Sequence, residues 1–178
     1  MMTAYDRIPA LPAEEHERRQ RRAASAVRAL WDLLDEVKDP EIPVISLWEL
    51  GVLQDIELRG ETVVVTITPT YSGCPAMTVM AEDVVAALQA AGHEQVLVES
   101  RLSPAWSTSW MTAAAQDKLR DCGIAPPGYG SADVGGAIRC PRCGSEDLRK
   151  LSEFGSTACK ALYQCNSCAE PVDYFKPI

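Results

Sequence analysis

Ile138-Arg139-Cys140-Pro141-Arg142-Cys143 and, twenty-one residues further on, Cys165-Asn166-Ser167-Cys168 form two Cys-x-x-Cys knuckles joined by one loop. Such a pair supplies four thiolates to a tetrahedral Zn²⁺ and leaves the metal no open position, so it organises a fold and performs no chemistry. Pro141 and Gly144 tighten the first knuckle, where backbone N–H groups can point at the sulfurs and spread their charge. The loop is one residue longer than the usual span for this spacing, and Cys159 lies inside it. A second ligand set of Cys140, Cys143 and Cys159 with one further cysteine therefore stays open beside Cys140, Cys143, Cys165 and Cys168. Residues 139–178 are expected to be a β-rich zinc ribbon.

Upstream of the ribbon, Pro126, Pro127, Gly128, Gly130, Gly135 and Gly136 crowd residues 124–138, which read as a linker. Residues 25–123 carry alternating helical and strand patterns. Residues 1–24 form a lead-in and the start of the first helix, whose apolar stripe runs through Ala23, Val27, Leu30, Trp31 and Leu34 with Arg18, Arg22 and Arg28 on other faces. That helix is expected to end at Asp39-Pro40, because the residue before a proline avoids helical dihedrals. Ser46 to Gly51 predicts one short helical turn ended by glycine. Val52–Leu58 and Thr62–Thr68 predict a hairpin, Pro75–Ala91 a helix, Gln95–Leu102 a strand and Ser107–Cys122 a last helix. The fold class is α/β: a small two-layer domain followed by the ribbon.

A formal charge of -8 argues against nucleic acid as a partner, and the ribbon's six cations are nearly balanced by five carboxylates. No apolar run is long enough to span a membrane and no signal core opens the chain, so neither a membrane nor export is expected. Seven cysteines, four of them in knuckles, point to a reducing, cytoplasmic setting.

Two further motifs carry chemistry. In Thr68-Pro69-Thr70-Tyr71-Ser72-Gly73-Cys74-Pro75 the cysteine falls between a strand and a helix, where the helix dipole and free N–H groups favour a thiolate. Thr70 and Ser72 stand where they could orient it. Only His16 and His93 exist, and neither is placed as a general base, which weakens nucleophilic catalysis but leaves metal binding intact. Asp39-Pro40-Glu41-Ile42-Pro43 locks acidic residues into a rigid turn. Trp106, Trp110 and Met111 are read as core, and Cys122, beside Gly123, as structural.

Taken together, Asp-Pro-Glu, a hairpin and Thr-Pro-x-x-x-Gly-Cys-Pro resemble the SufT-like family, which assists iron-sulfur protein assembly. With Ser103-Pro104-Ala105-Trp106, Trp110-Met111 and Phe154-Gly155-Ser156-Thr157-Ala158-Cys159, the chain from about residue 28 onward resembles the PaaD family of phenylacetyl-CoA epoxidase systems. The resemblance implies a non-catalytic accessory subunit in aerobic phenylacetate degradation. Its partners would be other subunits of that system, the diiron oxygenase subunit or the iron-sulfur flavin reductase, with a homodimer also open. Structural Zn²⁺ and a transient iron-sulfur cluster or iron would be its cofactors. Cys74, Asp39 and Thr70 are the candidate iron-handling residues, and Cys159 is an additional thiol open to metal exchange. An adaptor that only tethers oxygenase components, and a thiol enzyme using Cys74 as nucleophile, are the competing readings.

Overall fold

Thr62-Val63-Val64-Val65-Thr66-Ile67 is a β-branched run buried from Val63 to Ile67 on both faces, the pattern of a central strand. In the computed structural model, which describes residues 13–127 and 138–178, this run is strand β2 (Thr62–Ile67) at the middle of a three-stranded sheet. β1 (Leu53–Arg59) pairs with it antiparallel across a turn at Gly60, and β3 (Val96–Ser100) pairs parallel on its other side. The parallel partner requires a crossover, which helix α4 (Ala76–Ala90) supplies. Its buried residues Ala76, Met80, Val84 and Leu88 recur every fourth position and form one stripe, flanked by the half-buried Met77 and Ala87. The expected hairpin and crossover helix are thus both present.

The first expected helix is two. α1 (Ala13–Ala24) stops before Ser25, whose hydroxyl accepts the Val27 N–H at 3.2 Å, and α2 (Arg28–Leu34) restarts after it. A serine that bonds its neighbouring backbone competes with the helical ladder. α2 also ends at Leu34, ahead of the expected stop at Asp39-Pro40; Lys38 instead forms a bridge with Ser46. Arg18, read as outward-facing, is buried. Its guanidinium donates to the carbonyls of Trp48 (3.0 Å), Leu53 (3.0 Å) and Trp110 and lies 4.3 Å from the centre of the Trp48 ring. Burial, then repulsion from Arg21, lowers its pKa to about 10, so it stays charged at neutral pH while tying α1 to three segments.

The short helix α3 (Leu47–Leu50) is held by a capping box between Ser46 and Glu49 and ends at Gly51 with φ +87°. A Cβ at Gly51 would come within 2.8 Å of the Trp110 Cβ, so this glycine answers both a dihedral and a close approach. The last helix is shorter than expected. Ser107 caps a 3₁₀ turn (Thr108–Trp110), Met111 is extended, and Thr112 caps α5 (Ala113–Asp121). The buried Trp110 and Met111 hold the chain out of helical register, which also bears out their reading as core.

β4 (Ile124–Ala125), β5 (Leu148–Ser152), β6 (Lys160–Cys165) and β7 (Pro171–Phe175) form a second sheet in the order β4-β7-β6-β5. The expected linker therefore begins as a strand: Ile124 and Ala125 pair in parallel with Asp173 and Tyr174. Its portion at 128–137, like the lead-in through residue 12, lies outside the described residues. The ribbon has its own small core of Ala125, Cys140, Cys165 and Val172. Two ribbon residues, Cys159 and Phe175, belong instead to the core of the larger domain, where Phe175 meets Trp106 with ring centres 5.9 Å apart.

Candidate functional site

Cys140 and Cys165 begin two knuckles of the same build. Gly144 N–H donates to Cys140 O at 2.8 Å and Ala169 N–H to Cys165 O at 2.9 Å, each from a residue with positive φ, +75° and +61°. Asn166 N–H to Asp147 O (2.9 Å) ties one knuckle to the other. The Sγ atoms of Cys140, Cys143, Cys165 and Cys168 all lie within 4.8 Å of one another, with Cys140–Cys168 at 3.8 Å and Cys143–Cys165 at 3.6 Å. A tetrahedral zinc with Zn–S of about 2.3 Å needs sulfurs about 3.8 Å apart, so this donor set fits Zn²⁺. The Cys168 and Ser167 N–H groups lower the Cys165 pKa, while the neighbouring thiols raise Cys143 and Cys168, so the four sulfurs share protons that a metal would displace. Cys159 is not among the four: it lies in the larger domain's core, so the alternative ligand set has no geometric basis.

The second site is a cleft between the two sheets. Asp39, Glu41, Thr70, Cys74, Cys159 and Phe175 line a cavity of about 10 Å³, room for about one water-sized particle. The Asp-Pro-Glu turn places Asp39 there, because its Oδ1 accepts the N–H groups of Glu41 and Ile42, both at 2.8 Å, in an Asx-type turn. Cys74 arrives on the loop after β2, one residue before the helical Pro75 that leads into α4. The fold thus brings Asp39, Thr70 and Cys74 to the wall of one cavity. Ser72 is exposed and does not line the cavity, and among the described residues no hydrogen bond from Thr70 or Ser72 reaches the thiol.

The electrostatics of Cys74 differ from expectation. Burial pushes its pKa up, the Ala76 N–H opposes, and the negative charges of Glu41, Asp39 and Cys159 add to the rise. Desolvation and like charge outweigh the helix terminus, and the group is a thiol at neutral pH. Burial likewise raises Cys159, against the Thr157 hydroxyl 3.0 Å from its sulfur. Asp39 is raised by desolvation, offset by its two backbone donors and Lys160, and Glu41 by desolvation and then Asp39. A neutral thiol without a histidine among the cavity-lining residues is poorly suited to nucleophilic attack, but it becomes a thiolate when a thiophilic cation displaces its proton.

Sequence reasoning missed three neighbours: Glu41, the ribbon-borne Cys159 as part of this cleft, and Tyr71, whose pKa is raised by desolvation and then by Cys74 beside it. Glu41 and Tyr71 stood inside the quoted motifs, whereas nothing in the spacing signals Cys159. A wider hollow of about 560 Å³ lies against α1, α2 and α5, but Arg22 is paired there with Asp32 and Asp35 and Lys118 with Glu49, so those cations are not free for a phosphate. Among the described residues no helix is long and apolar enough to cross a membrane.

Comparison with known proteins follows the same division. The PaaD zinc beta ribbon domain family matches residues 125–176, and the iron-sulfur cluster assembly protein family matches residues 26–99. A crystal structure of a domain of unknown function, DUF59, from Bacillus anthracis is 27% identical with a TM-score of 0.48, covering 52% of this chain and 89% of that one. A Porphyromonas gingivalis protein named as an Fe-S protein maturation auxiliary factor is 32% identical over 89 residues, 49% of this chain and 84% of its own. An Escherichia coli (strain K12) protein, provisionally named as the D subunit of 1,2-phenylacetyl-CoA epoxidase, is 48% identical over 151 residues, 84% of this chain and 92% of its own. That last match runs through both sheets and leaves little of either chain unaligned, so this protein belongs to the PaaD family, the D subunits of phenylacetyl-CoA epoxidase systems.

Proposed function

We propose that the chain is a non-catalytic accessory subunit in aerobic phenylacetate degradation that helps iron or an iron-sulfur cluster reach the epoxidase system. The relatives named as an epoxidase subunit and as an Fe-S maturation factor support this reading, and it would operate in the cytoplasm, where thiols stay reduced. Its partners would be the diiron oxygenase subunit or the iron-sulfur flavin reductase. Cys140, Cys143, Cys165 and Cys168 would hold Zn²⁺, which contributes folding energy to the ribbon. Cys74 would be the working thiol, Asp39 a carboxylate beside it, and Thr70 part of the cavity wall. The observation that carries the proposal is the cleft in which the Asp-Pro-Glu turn and the Gly-Cys-Pro loop meet around one small cavity.

The test is zinc, iron and acid-labile sulfide per chain in anaerobically purified wild type and Cys74→Ser, together with the iron content of the epoxidase matured with each. Equal zinc in both, with iron delivered only by wild type, is the expected result. Full client iron with Cys74→Ser would sink the maturation reading and favour an adaptor that tethers the oxygenase components.

A further inference from the structure

Cys159 is out of place for a ribbon cysteine. It precedes β6, and the Lys176 N–H to Cys159 O bond at 2.9 Å holds its backbone to the ribbon, yet its side chain is 5% exposed within the core of the other domain. Its side chain lines the same cavity as Cys74 and Asp39, contributed by three segments far apart in sequence. The carboxylate of Asp39 adds an oxygen donor to the two sulfurs. Asp39 is 4% exposed and both of its hydrogen bonds fall on Oδ1, so among the described residues Oδ2 accepts none. Oδ2 is not among the fully buried atoms left without a partner, so it keeps contact with solvent and is open to an incoming cation. Glu41 adds a second carboxylate, while the nearby cation, Lys160, is 3.7 Å from Asp173. The cavity is thus rich in sulfur and oxygen donors, and the charge of Lys160 acts on Asp39, Glu41 and Cys159 as well as on Asp173.

We propose that Cys159 is a second thiol ligand of this cleft, and that Cys74, Cys159 and Asp39, whose donor atoms are not converged as the knuckle sulfurs are, close on one bare thiophilic divalent cation of the Fe²⁺ class rather than an assembled cluster. This rests on the maturation reading above and names its cargo. Two sulfurs and an oxygen suit borderline-soft first-row ions. A cavity of about 10 Å³ holds one ion, whereas iron-sulfur clusters are larger and ordinarily take four cysteine ligands. Because one thiol comes from each domain, the ribbon becomes half of the cargo site.

The experiment uses the zinc-loaded full chain under anaerobic conditions, titrated with Co²⁺ as a spectroscopic stand-in for Fe²⁺. Wild type is expected to take one Co²⁺ per chain beyond its zinc, with thiolate-to-cobalt charge-transfer absorption. Cys74→Ser and Cys159→Ser should each lose about half of that absorption and bind about 10- to 100-fold more weakly, at unchanged zinc content. Cadmium NMR on wild type, which needs no variant, should place the second site in the two-sulfur range. A Cys159→Ser protein that titrates like wild type, or a one-sulfur cadmium resonance, overturns the role of Cys159 and leaves Cys74 and the maturation reading standing. Absence of any second Co²⁺ site in wild type overturns the cargo assignment itself, and client iron with Cys74→Ser then judges the maturation reading separately.

Discussion

The knuckle site and the cleft are both built from thiols, yet they are opposite in construction. At the knuckles, four sulfurs within 4.8 Å are fixed by short turns whose geometry is local to a few residues each. In the cleft, two thiols and a carboxylate come from three distant segments that packing brings together, and the raised pKa values keep the thiols protonated. Among the described residues only the knuckles form a converged metal-ligand cluster. A converged set holds its metal tightly, and donors that must close on an ion release it more readily. The proposed role asks for both, one metal to keep and one to pass on.

The sharpest way to break that contrast is to remove the permanent metal. Structural zinc in small domains contributes about 10–16 kcal/mol of binding free energy, which is folding energy for the ribbon. Cys140→Ser, or chelation of wild type, should abolish the ribbon's dispersed amide resonances while far-ultraviolet circular dichroism keeps the signal of α4 and α5. Retention of ribbon resonances without zinc would show that its small core suffices alone.

Next in size is the joint between the regions. Phe175 is fully buried against Trp106 although it belongs to the ribbon's last strand. Phe175→Ala should cost about 3–5 kcal/mol in urea unfolding, the range for deleting a buried aromatic ring, yet leave zinc content unchanged. Loss of zinc as well would mean that the knuckles depend on docking, and the two sites would no longer be separable.

How much of each site could be read in the sequence follows the same line. Ligand spacing within a knuckle is a local quantity, so Cys140, Cys143, Cys165 and Cys168 were legible, as were the β-branched run of β2 and the every-fourth-residue stripe of α4. Asp39 and Cys74 were legible one at a time, through their motifs. Their meeting with Cys159 was not, since no periodicity encodes which ribbon residue enters another domain's core. Arg18 was misread for a related reason: an arginine among polar helical neighbours bears no mark of burial, and its three carbonyl partners lie on other elements. The breaks at Ser25 and Met111 escaped because capping hydroxyls and tertiary burial override helical propensity.

A smaller test asks whether the knuckles are as optimised as their convergence suggests. Gly144 and Ala169 hold equivalent left-handed positions, but only the glycine is free of the Cβ clash that such a dihedral imposes. Ala169→Gly should stabilise the zinc-loaded ribbon by up to about 1 kcal/mol, the relief of strain being partly offset by glycine's greater unfolded-state entropy. Thermal unfolding at fixed zinc would read it, and a destabilised variant would show that Ala169 makes a contact worth more than its strain.

The smallest expected effect lies in the cleft and turns on its charge. Asp39 has a pKa raised above its ordinary 3.8, chiefly by desolvation, so the folded protein holds this proton more tightly than the unfolded chain does. Stability from this group is therefore greatest in acid and declines as pH rises from 3.8 through the folded-state pKa, reaching a plateau once the carboxylate is ionised in both states. Asparagine keeps an oxygen for the Glu41 and Ile42 N–H groups but carries no charge to desolvate. Asp39→Asn should thus be stabilising at neutral pH, with the gain vanishing toward pH 3, measured as the difference between wild-type and variant unfolding curves across pH. A carboxylate that weakens the fold it sits in is what the ligand role proposed for Asp39 requires. If the variant were less stable at neutral pH than wild type, Asp39 would be a structural residue of its turn, and the cleft would lose the feature that most separates it from the knuckles.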